Sequence, residues 1–525
     1  MATSRKAGRR VLGTALMAVA VHCTLFGQGP DPVESPRPNV LMIAIDDLRP
    51  MLGCYGDPIA RTPHIDALAS GGMLFERAYC QYAKCGPSRL SLLTGLRPES
   101  VGVTTHRDAK MLAFRKANEE LHSIPRWFKA NGYHTRGFGK VYHDGWDDPR
   151  DWSEPAQPGR EGEMREIADV SALDGVPFEA RSEVPTLIAE RLDCPAIQAP
   201  EVPDDALFAG RMTNQVIELL KKRNAEGGAA PFFLAVGFRR PHLPFVAPRK
   251  WFDHYEPEMS WLLPAEERRP PEGAPLMAWF NSDGYLGTSR NQGLTMPVRP
   301  KSIREGRDWA GYELRSYVGV PNQGTISDAD QLKVLHAYRA CISYVDSQIG
   351  RLLEALRLLR LEDNTIVLLW SDHGWHLGEQ GTWSKMTNYE IATRVPLIIK
   401  APGEAFVKGK TESLAELVDL YPTLCELAGL DLPEHLEGDS LVPVLQDSST
   451  SVKRMARSEF PRFRNRFFGH AYRDERYRLV EWTDTKSGEI VERELYDHDA
   501  DPLETMNLVD RPESLKIIES FRAGK

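Results

Sequence analysis

The sequence predicts an α/β fold, with a large mixed, mostly parallel sheet flanked by helices and a small antiparallel subdomain near the C-terminus. Three observations carry that prediction. Apolar runs such as "NVLMIAI", "PFFLAVGF" and "TIVLLWS" lack polar alternation, as do strands covered on both faces. Stretches with apolar residues at helical spacing lie between them, and alternating elements of the two kinds make a layered α/β sandwich. Beyond about residue 450, strand-like runs follow one another closely before a short helix, the pattern of an antiparallel sheet.

Length and composition agree. A chain of 525 residues exceeds one ordinary core, so a large domain and a second unit are expected. Hydrophobic and charged shares of 42% and 26% are those of a globular protein. The net charge of −9, with no basic block, argues against a nucleic-acid binder.

Taken in order, "MATSRKAGRR" is a basic leader and "VLGTALMAVAVHCTLF" an apolar stretch of 16 residues, with small Gly27 and Gly29 after it. This reads as a secretory signal over 1–29, so the mature protein is expected outside the cytoplasm: periplasmic, secreted or lumenal. The run is short for an anchoring helix and His22 interrupts it, so no stable membrane partner is expected. The catalytic domain is placed at 36–445 and the C-terminal subdomain at 450–525.

"NVLMIAI" runs into Asp46 and Asp47, and "TPHIDALASGG" follows as a helix with Thr62 as its cap and Pro63 in its first turn. "ELHSIPRWFKANGY" is helical, and "YHTRGFGK" leads through Lys140 to His143. "PFFLAVGF" runs into Arg239, Arg240, Pro241 and His242. The long periodic stretch from Asp328 to Arg360 is a helix, "TIVLLWS" ends at Asp372 and His373, and "RVPLIIKAPG" is a further strand. Residues 147–205 and 256–326 have little periodicity; each is either a surface insertion or the wall of a pocket.

Ligands of such sheets sit beyond the carboxyl ends of the strands. Asp46, Asp47, Lys140, His143, His242, Asp372 and His373 should therefore gather on one rim. Three aspartates together repel unless a proton or a dication neutralises them, and carboxylate oxygens suit Ca²⁺ or Mg²⁺ better than zinc. Adjacent acids such as Asp46 and Asp47 also cap helices, but two separate strands ending in aspartate favour a site. With Arg89, Lys140 and Lys385 beside the dication, the constellation suits a tetrahedral oxyanion ester, in phosphoryl or sulfuryl transfer. His106, His122, His336 and His435 have no evident pairing with the rim and read as structural.

Seven cysteines (Cys23, Cys54, Cys80, Cys85, Cys194, Cys341 and Cys425) show no CxxC or zinc spacing, and disulfides stay open. Taken alone, Cys85 could be a packed cysteine at a helix start. Its setting, "CGPSRLSLLTG", resembles the sulfatase signature Cys-x-Pro-Ser-Arg in full, through Cys85, Pro87, Ser88 and Arg89. "NVLMIAIDDLRPMLGCYGD", "GFGKVYHDG", "RRPHLPF", "WSDHGWHLGEQGTWSKMTNYE" and "ELYDHDADPLETMNL" extend the resemblance to the C-terminus and are similar to the iduronate-2-sulfatase branch.

The resemblance to formylglycine-dependent sulfatases implies an alkaline-phosphatase-like sandwich and a maturation enzyme that oxidises Cys85 to Cα-formylglycine. It implies Ca²⁺ on Asp46, Asp47, Asp372 and His373, with the modified residue 85 as a further ligand. Arg89 and His143 would support that residue; Lys140, His242 and Lys385 would hold the sulfate and leaving oxygen. Many members carry Asn where His373 stands, and the usual Lys-x-His is one residue longer here, Lys140 to His143. The implied reaction is hydrolysis of O-sulfate esters on a sulfated sugar or glycan, with a 2-O-sulfated uronic acid as the particular substrate the branch suggests. A phosphate or phosphonate ester hydrolase of the same superfamily and a catalytically silent sulfoglycan-binding protein are the alternatives.

Overall fold

The computed structural model describes residues 37–106, 108–158, 195–227, 230–279, 312–315, 317, 320, 326–462 and 465–523. The expected signal over 1–29, Cys194 and most of the two aperiodic stretches lie outside these residues.

Fifteen strands are described. The first seven are β1 (Asn39–Ile45), β2 (Met73–Tyr79), β3 (His134–Gly139), β4 (Gln157–Pro158), β5 (Ile197–Gln198), β6 (Phe232–Phe238) and β7 (Phe245–Val246). They continue as β8 (Thr365–Ser371), β9 (Arg394–Val395), β10 (Leu397–Lys400) and β11 (Gly409–Glu416). The last four are β12 (Ala456–Arg462), β13 (Phe467–Arg473), β14 (Tyr477–Asp484) and β15 (Ile490–Asp497). The main sheet runs β11-β2-β10-β8-β1-β6-β3-β4, with β9 beside β2. Its pairings are parallel except those of β9 and β10, so it is mixed and mostly parallel as expected.

The apolar run of β1 does not alternate because both faces of the sheet are covered. Leu41, Ile43 and Ile45 pack in one core with Met212 and Val216 of the helix Phe208–Ala225 and with Val334 and Tyr338 of the helix Asp328–Leu358. Val40, Met42 and Ala44 pack in the other core with Leu90, Leu92 and Leu93 of α2 (Cys85–Thr94). Register then sets the rim. Ile45 is level with both Phe238 and Ser371, so Asp46 and Asp372 leave neighbouring strands at the same height. Gly139 is level with Gly237, and Lys140 N donates to Gly237 O at 2.9 Å.

The small sheet, β12-β13-β14-β15, is antiparallel throughout, and the helix Ser514–Ala523 covers one face through Ile518 and Phe521. The described residues from 37 onward form one compact unit. Thr62 occupies the position before the helix α1 (Pro63–Gly71), but its side chain does not cap that helix. Its hydroxyl accepts from Gly53 N and donates to Asp66, tying the preceding turn instead. Among the described residues Cys54, Cys80, Cys85, Cys341 and Cys425 are free thiols, so no disulfide joins these five.

Candidate active site

Cys85 is the first residue of α2, a helix buried along its whole length. Its thiol therefore lies at the positive end of the peptide dipoles. Burial, with the nearby Asp46 carboxylate, nevertheless pushes the thiol up to about 11. The next residue must be glycine. A Cβ on Gly86 would stand 2.7 Å from the His106 ring and 2.9 Å from Trp146, and Gly86 N donates to His106 Nε2 at 3.0 Å.

Around Cys85 the sheet rim delivers buried charges. Arg89, one turn into α2, points back under the rim, where its Nε donates to Asp372 Oδ2 at 2.8 Å and Nη2 to Asp46 Oδ1 at 3.1 Å. Its Nη1 donates to the carbonyls of Lys140 and Val141, so one guanidinium joins three strand ends. Lys140 Nζ pairs with Asp46 Oδ2, and Lys385 Nζ donates to both oxygens of Asp47 at 2.8 and 2.9 Å. Asp47 sits in the left-handed region at φ 60, a conformation aspartate tolerates better than most residues. Two bonds hold it there: its N–H donates to Asp372 Oδ1 at 3.1 Å and its carbonyl accepts from Tyr338 at 2.7 Å.

Charge sets the protonation of this group. Burial would raise both adjacent aspartates. For Asp46 the cations Lys140 and Arg89 outweigh burial and hold it well below the usual range. For Asp47 burial and the neighbouring Asp46 win over Lys385, and it is pushed well above. Burial alone would lower Lys140 and Lys385, but Asp46 and Asp47 respectively raise them, so both stay ammonium. Burial together with these lysines drives His143 and His242 well below the ordinary imidazole value, so both rings are neutral.

The donor set fits a divalent cation. Ligand atoms of Asp46, Cys85, Asp372 and His373 all lie within 4.8 Å of one another, as do those of Asp46, Asp47, Cys85 and His242. His373 Nδ1 is 3.0 Å from Gly374 O. A carbonyl only accepts, so Nδ1 carries the proton and Nε2 offers its lone pair to the cluster. That Nε2 lies 3.2 Å from Cys85 Sγ, 3.4 Å from Asp47 Oδ1 and 3.6 Å from Asp372 Oδ2.

Above Cys85 a polar pocket opens. Lys84, Cys85, His106, Lys140, His143, Asp144, Arg239, His242, Glu313, Lys385 and Met386 line it. The structure thus brings together every residue the sequence placed on the rim, with Arg89, Asp46, Asp47, Asp372 and His373 beneath the pocket floor. His106 belongs here too, and its structural reading is corrected: it stacks on His143 with ring centres 3.9 Å apart. No spacing tied it to the rim, since it arrives on the loop after the short helix Pro98–Val101.

Sequence reasoning also missed Asp144, Arg239 and Glu313. Asp144 and Arg239 form a pair at 2.6 Å, and each directly adjoins a residue already singled out or a strand end. Glu313 comes from the aperiodic stretch 256–326, where nothing in the sequence marks it. Its presence in the lining bears out the pocket-wall reading at this one point.

Among the described residues no helix is long and apolar enough to cross a membrane.

Comparison with known proteins gives a consistent result. The family model "Sulfatase" matches residues 38–430, and one described as "N-sulphoglucosamine sulphohydrolase, C-terminal" matches 378–524. Iduronate 2-sulfatase of Mus musculus is 32% identical over 92% of this chain and 93% of its own length. The Homo sapiens iduronate 2-sulfatase is 35% identical over 82% of this chain and 76% of its own. Among solved structures, the phosphonate monoester hydrolase of Agrobacterium radiobacter has the same fold, with a TM-score of 0.69 at 24% identity, covering 93% of this chain and 94% of its own. The chain belongs to the sulfatase family and is a sulfuric ester hydrolase.

Proposed function

We propose that the enzyme releases sulfate from a sulfated sugar or glycan, with a 2-O-sulfated uronic acid as the favoured substrate, and that Cys85 acts after conversion to formylglycine. One observation carries this reading: Cys85 opens a buried helix directly beside three aspartates and two lysines at the base of one pocket. The name and identity of the iduronate 2-sulfatases support the choice of sugar. The basic leader and apolar stretch support export through a signal peptide.

Asp46, Asp47, Asp372 and His373 would hold one Ca²⁺ together with the modified residue 85. Ca²⁺ is favoured because carboxylates crowd the site, whereas Mg²⁺ retains waters. When bound, the ion supplies positive charge that polarises an ester oxygen.

The chain's own residues do the rest. Lys140 and Lys385 reach the pocket as fixed ammonium groups and hold sulfate oxygens, a preorganised clamp for an anion. Arg89 stays below and fixes Asp46 and Asp372. His143 stands beside Lys140 at residue 85, held by its stacking on His106. His242 faces the leaving oxygen. Its Nδ1 lies 2.6 Å from Leu243 O and so donates there, which leaves Nε2 pointing into the pocket. In the free pocket this ring is neutral and Nε2 is a lone pair, so the proton it delivers must be taken up on Nε2 once substrate is bound. The resulting cation would be faced by Glu313 Oε1 at 3.7 Å and Asp47 Oδ2 at 4.0 Å.

The shared fold of the phosphonate hydrolase favours a second reading, in which phosphorus esters are the better substrates. The test compares kcat/KM for one aryl alcohol as its sulfate, its phosphate and its methylphosphonate, beside sugar sulfates and with the mass of the Cys85 peptide recorded. The proposal expects an aldehyde at residue 85 and preference for sulfates. Preference for phosphorus esters selects the second reading. Tight binding of sulfated sugar with no sulfate released selects a silent binding protein.

A further inference from the structure

The pocket holds one feature that neither sulfate binding nor the metal explains. Glu313 is 3% exposed and lines the pocket among the cations expected to take up sulfate. Its Oε2 lies 3.5 Å from Lys385 Nζ but makes no hydrogen bond among the described residues. Its Oε1 is 3.7 Å from His242 Nε2, which puts the carboxylate on the side of the leaving oxygen. The other pocket carboxylate, Asp144, is engaged by Arg239 through both oxygens at 2.6 and 2.8 Å.

A carboxylate here works against an anionic substrate, because it repels sulfate and spends part of the charge of Lys385. A buried carboxylate oxygen without a donor also carries a desolvation cost. The sulfate group cannot relieve either cost: an ionised sulfate monoester has oxygens to accept hydrogen bonds and no proton to give. The missing donor must come from the organic part of the substrate, close to the leaving oxygen.

Resting on the reading above, we infer that Glu313 is a specificity-determining residue that accepts a hydrogen bond from a hydroxyl on the carbon next to the sulfated one. The same carboxylate disfavours a second sulfate at that neighbouring position. The enzyme therefore selects sugars sulfated at one of two vicinal oxygens and hydroxylated at the other. For a 2-O-sulfated pyranoside joined through C1, the only vicinal hydroxyl is the one on C3.

The test uses three probes with matured, metal-loaded enzyme: a methyl uronoside 2-O-sulfate, its 3-deoxy analogue and an aryl sulfate. The wild type should prefer the hydroxylated sugar over the deoxy sugar by roughly 10- to 100-fold in kcat/KM, the scale of a hydrogen bond to a charged group. In Glu313→Ala that ratio should fall to within about threefold of unity, and Glu313→Gln, whose amide oxygen still accepts, should recover part of it. The loss on aryl sulfate should be clearly smaller than on the hydroxylated sugar, which also shows that the variants fold. Calorimetry on Cys85→Ala should show the same ratio in binding, and its loss when Glu313 is also replaced.

Equal penalties on all three probes, or an unchanged ratio in Glu313→Ala, would overturn the inference and leave the sulfatase reading standing. Failure of matured wild type on every sulfate ester would take both down.

Discussion

Two buried ion clusters in this molecule are built from the same materials and serve different ends. One lies at the sheet rim, where Asp46, Asp47 and Asp372 face Arg89, Lys140 and Lys385. The other lies under the small sheet, where Glu390 and Glu504 face Arg473 and Arg478. In the second, every carboxylate oxygen is spent. Glu390 Oε1 accepts from Tyr79 and its Oε2 from Arg473 and Arg478; Glu504 Oε1 accepts from Arg478 and Oε2 from Glu390 N. Arg478 also donates to Asn388 O and Thr393 Oγ1. The rim cluster borders polar atoms held in reserve: Oε2 of Glu313 and Nδ1 of His143 have no hydrogen bond among the described residues. A closed network holds two layers together, whereas an open one is ready for a ligand.

Breaking the open cluster at residue 85, which holds no ion pair, should cost activity and little stability. The largest effect is expected for Cys85→Ala and Cys85→Ser, which should lower turnover by at least roughly 10⁴-fold, the scale of losing a nucleophile. Urea unfolding should remain close to wild type. Wild-type-like turnover in either variant would contradict the role given to residue 85.

Next come Asp46→Ala, Asp47→Ala and Asp372→Ala. Each should lower turnover by about 10³-fold and reduce bound divalent metal, read by elemental analysis. Full activity in metal-free enzyme would remove the cation from the account. Lys140→Ala and Lys385→Ala should lose roughly 10² to 10³ on every sulfate ester alike. His242→Ala should instead penalise sugar sulfates more than aryl sulfates, because poor leaving groups need the proton. Equal penalties on both classes would make His242 a sulfate-binding or structural residue.

Breaking the closed cluster should do the reverse. Arg478→Ala strands two buried carboxylates and should cost roughly 3–5 kcal/mol in urea unfolding, while kcat/KM of the folded fraction changes little. The pH dependence sharpens the contrast. Burial would raise Glu390 and Glu504, but His498, Arg473 and Arg478 around the first, and Arg478 and His498 around the second, hold both below the ordinary 4.5. A carboxylate lowered by folding stabilises above its unfolded value, and that contribution is lost as pH falls through the folded value. The urea midpoint should therefore decline below pH 4.5, and the gap between wild type and Glu390→Gln should narrow there. A gap that is constant with pH would show that the cluster is not ionised as described.

Much of the site was legible because strand ends are easy to see. Asp46, Lys140, His242 and Asp372 each follow a run whose register the fold equalises, and the Cys85 to Arg89 signature adds the helix start. His106 and Glu313 were not legible. Each reaches the pocket from an irregular segment, and the contacts that bring it there are made by tertiary packing that leaves no period in sequence. The Asp144–Arg239 pair was half visible, since Arg239 directly follows a strand end, but nothing in sequence links it to Asp144 across 95 positions. Thr62 marks the opposite limit: the residue type was right for a cap, and the turn at Gly53 took its hydroxyl.

On the proposed function, turnover depends on an aldehyde at residue 85 amid this charge cluster. Enzyme produced with graded amounts of maturation activity yields preparations with different aldehyde fractions, measured by the mass of the Cys85 peptide. Turnover of a sugar sulfate by the same preparations should rise in direct proportion to that fraction and pass through the origin. Substantial turnover in protein whose Cys85 is entirely thiol would contradict the account.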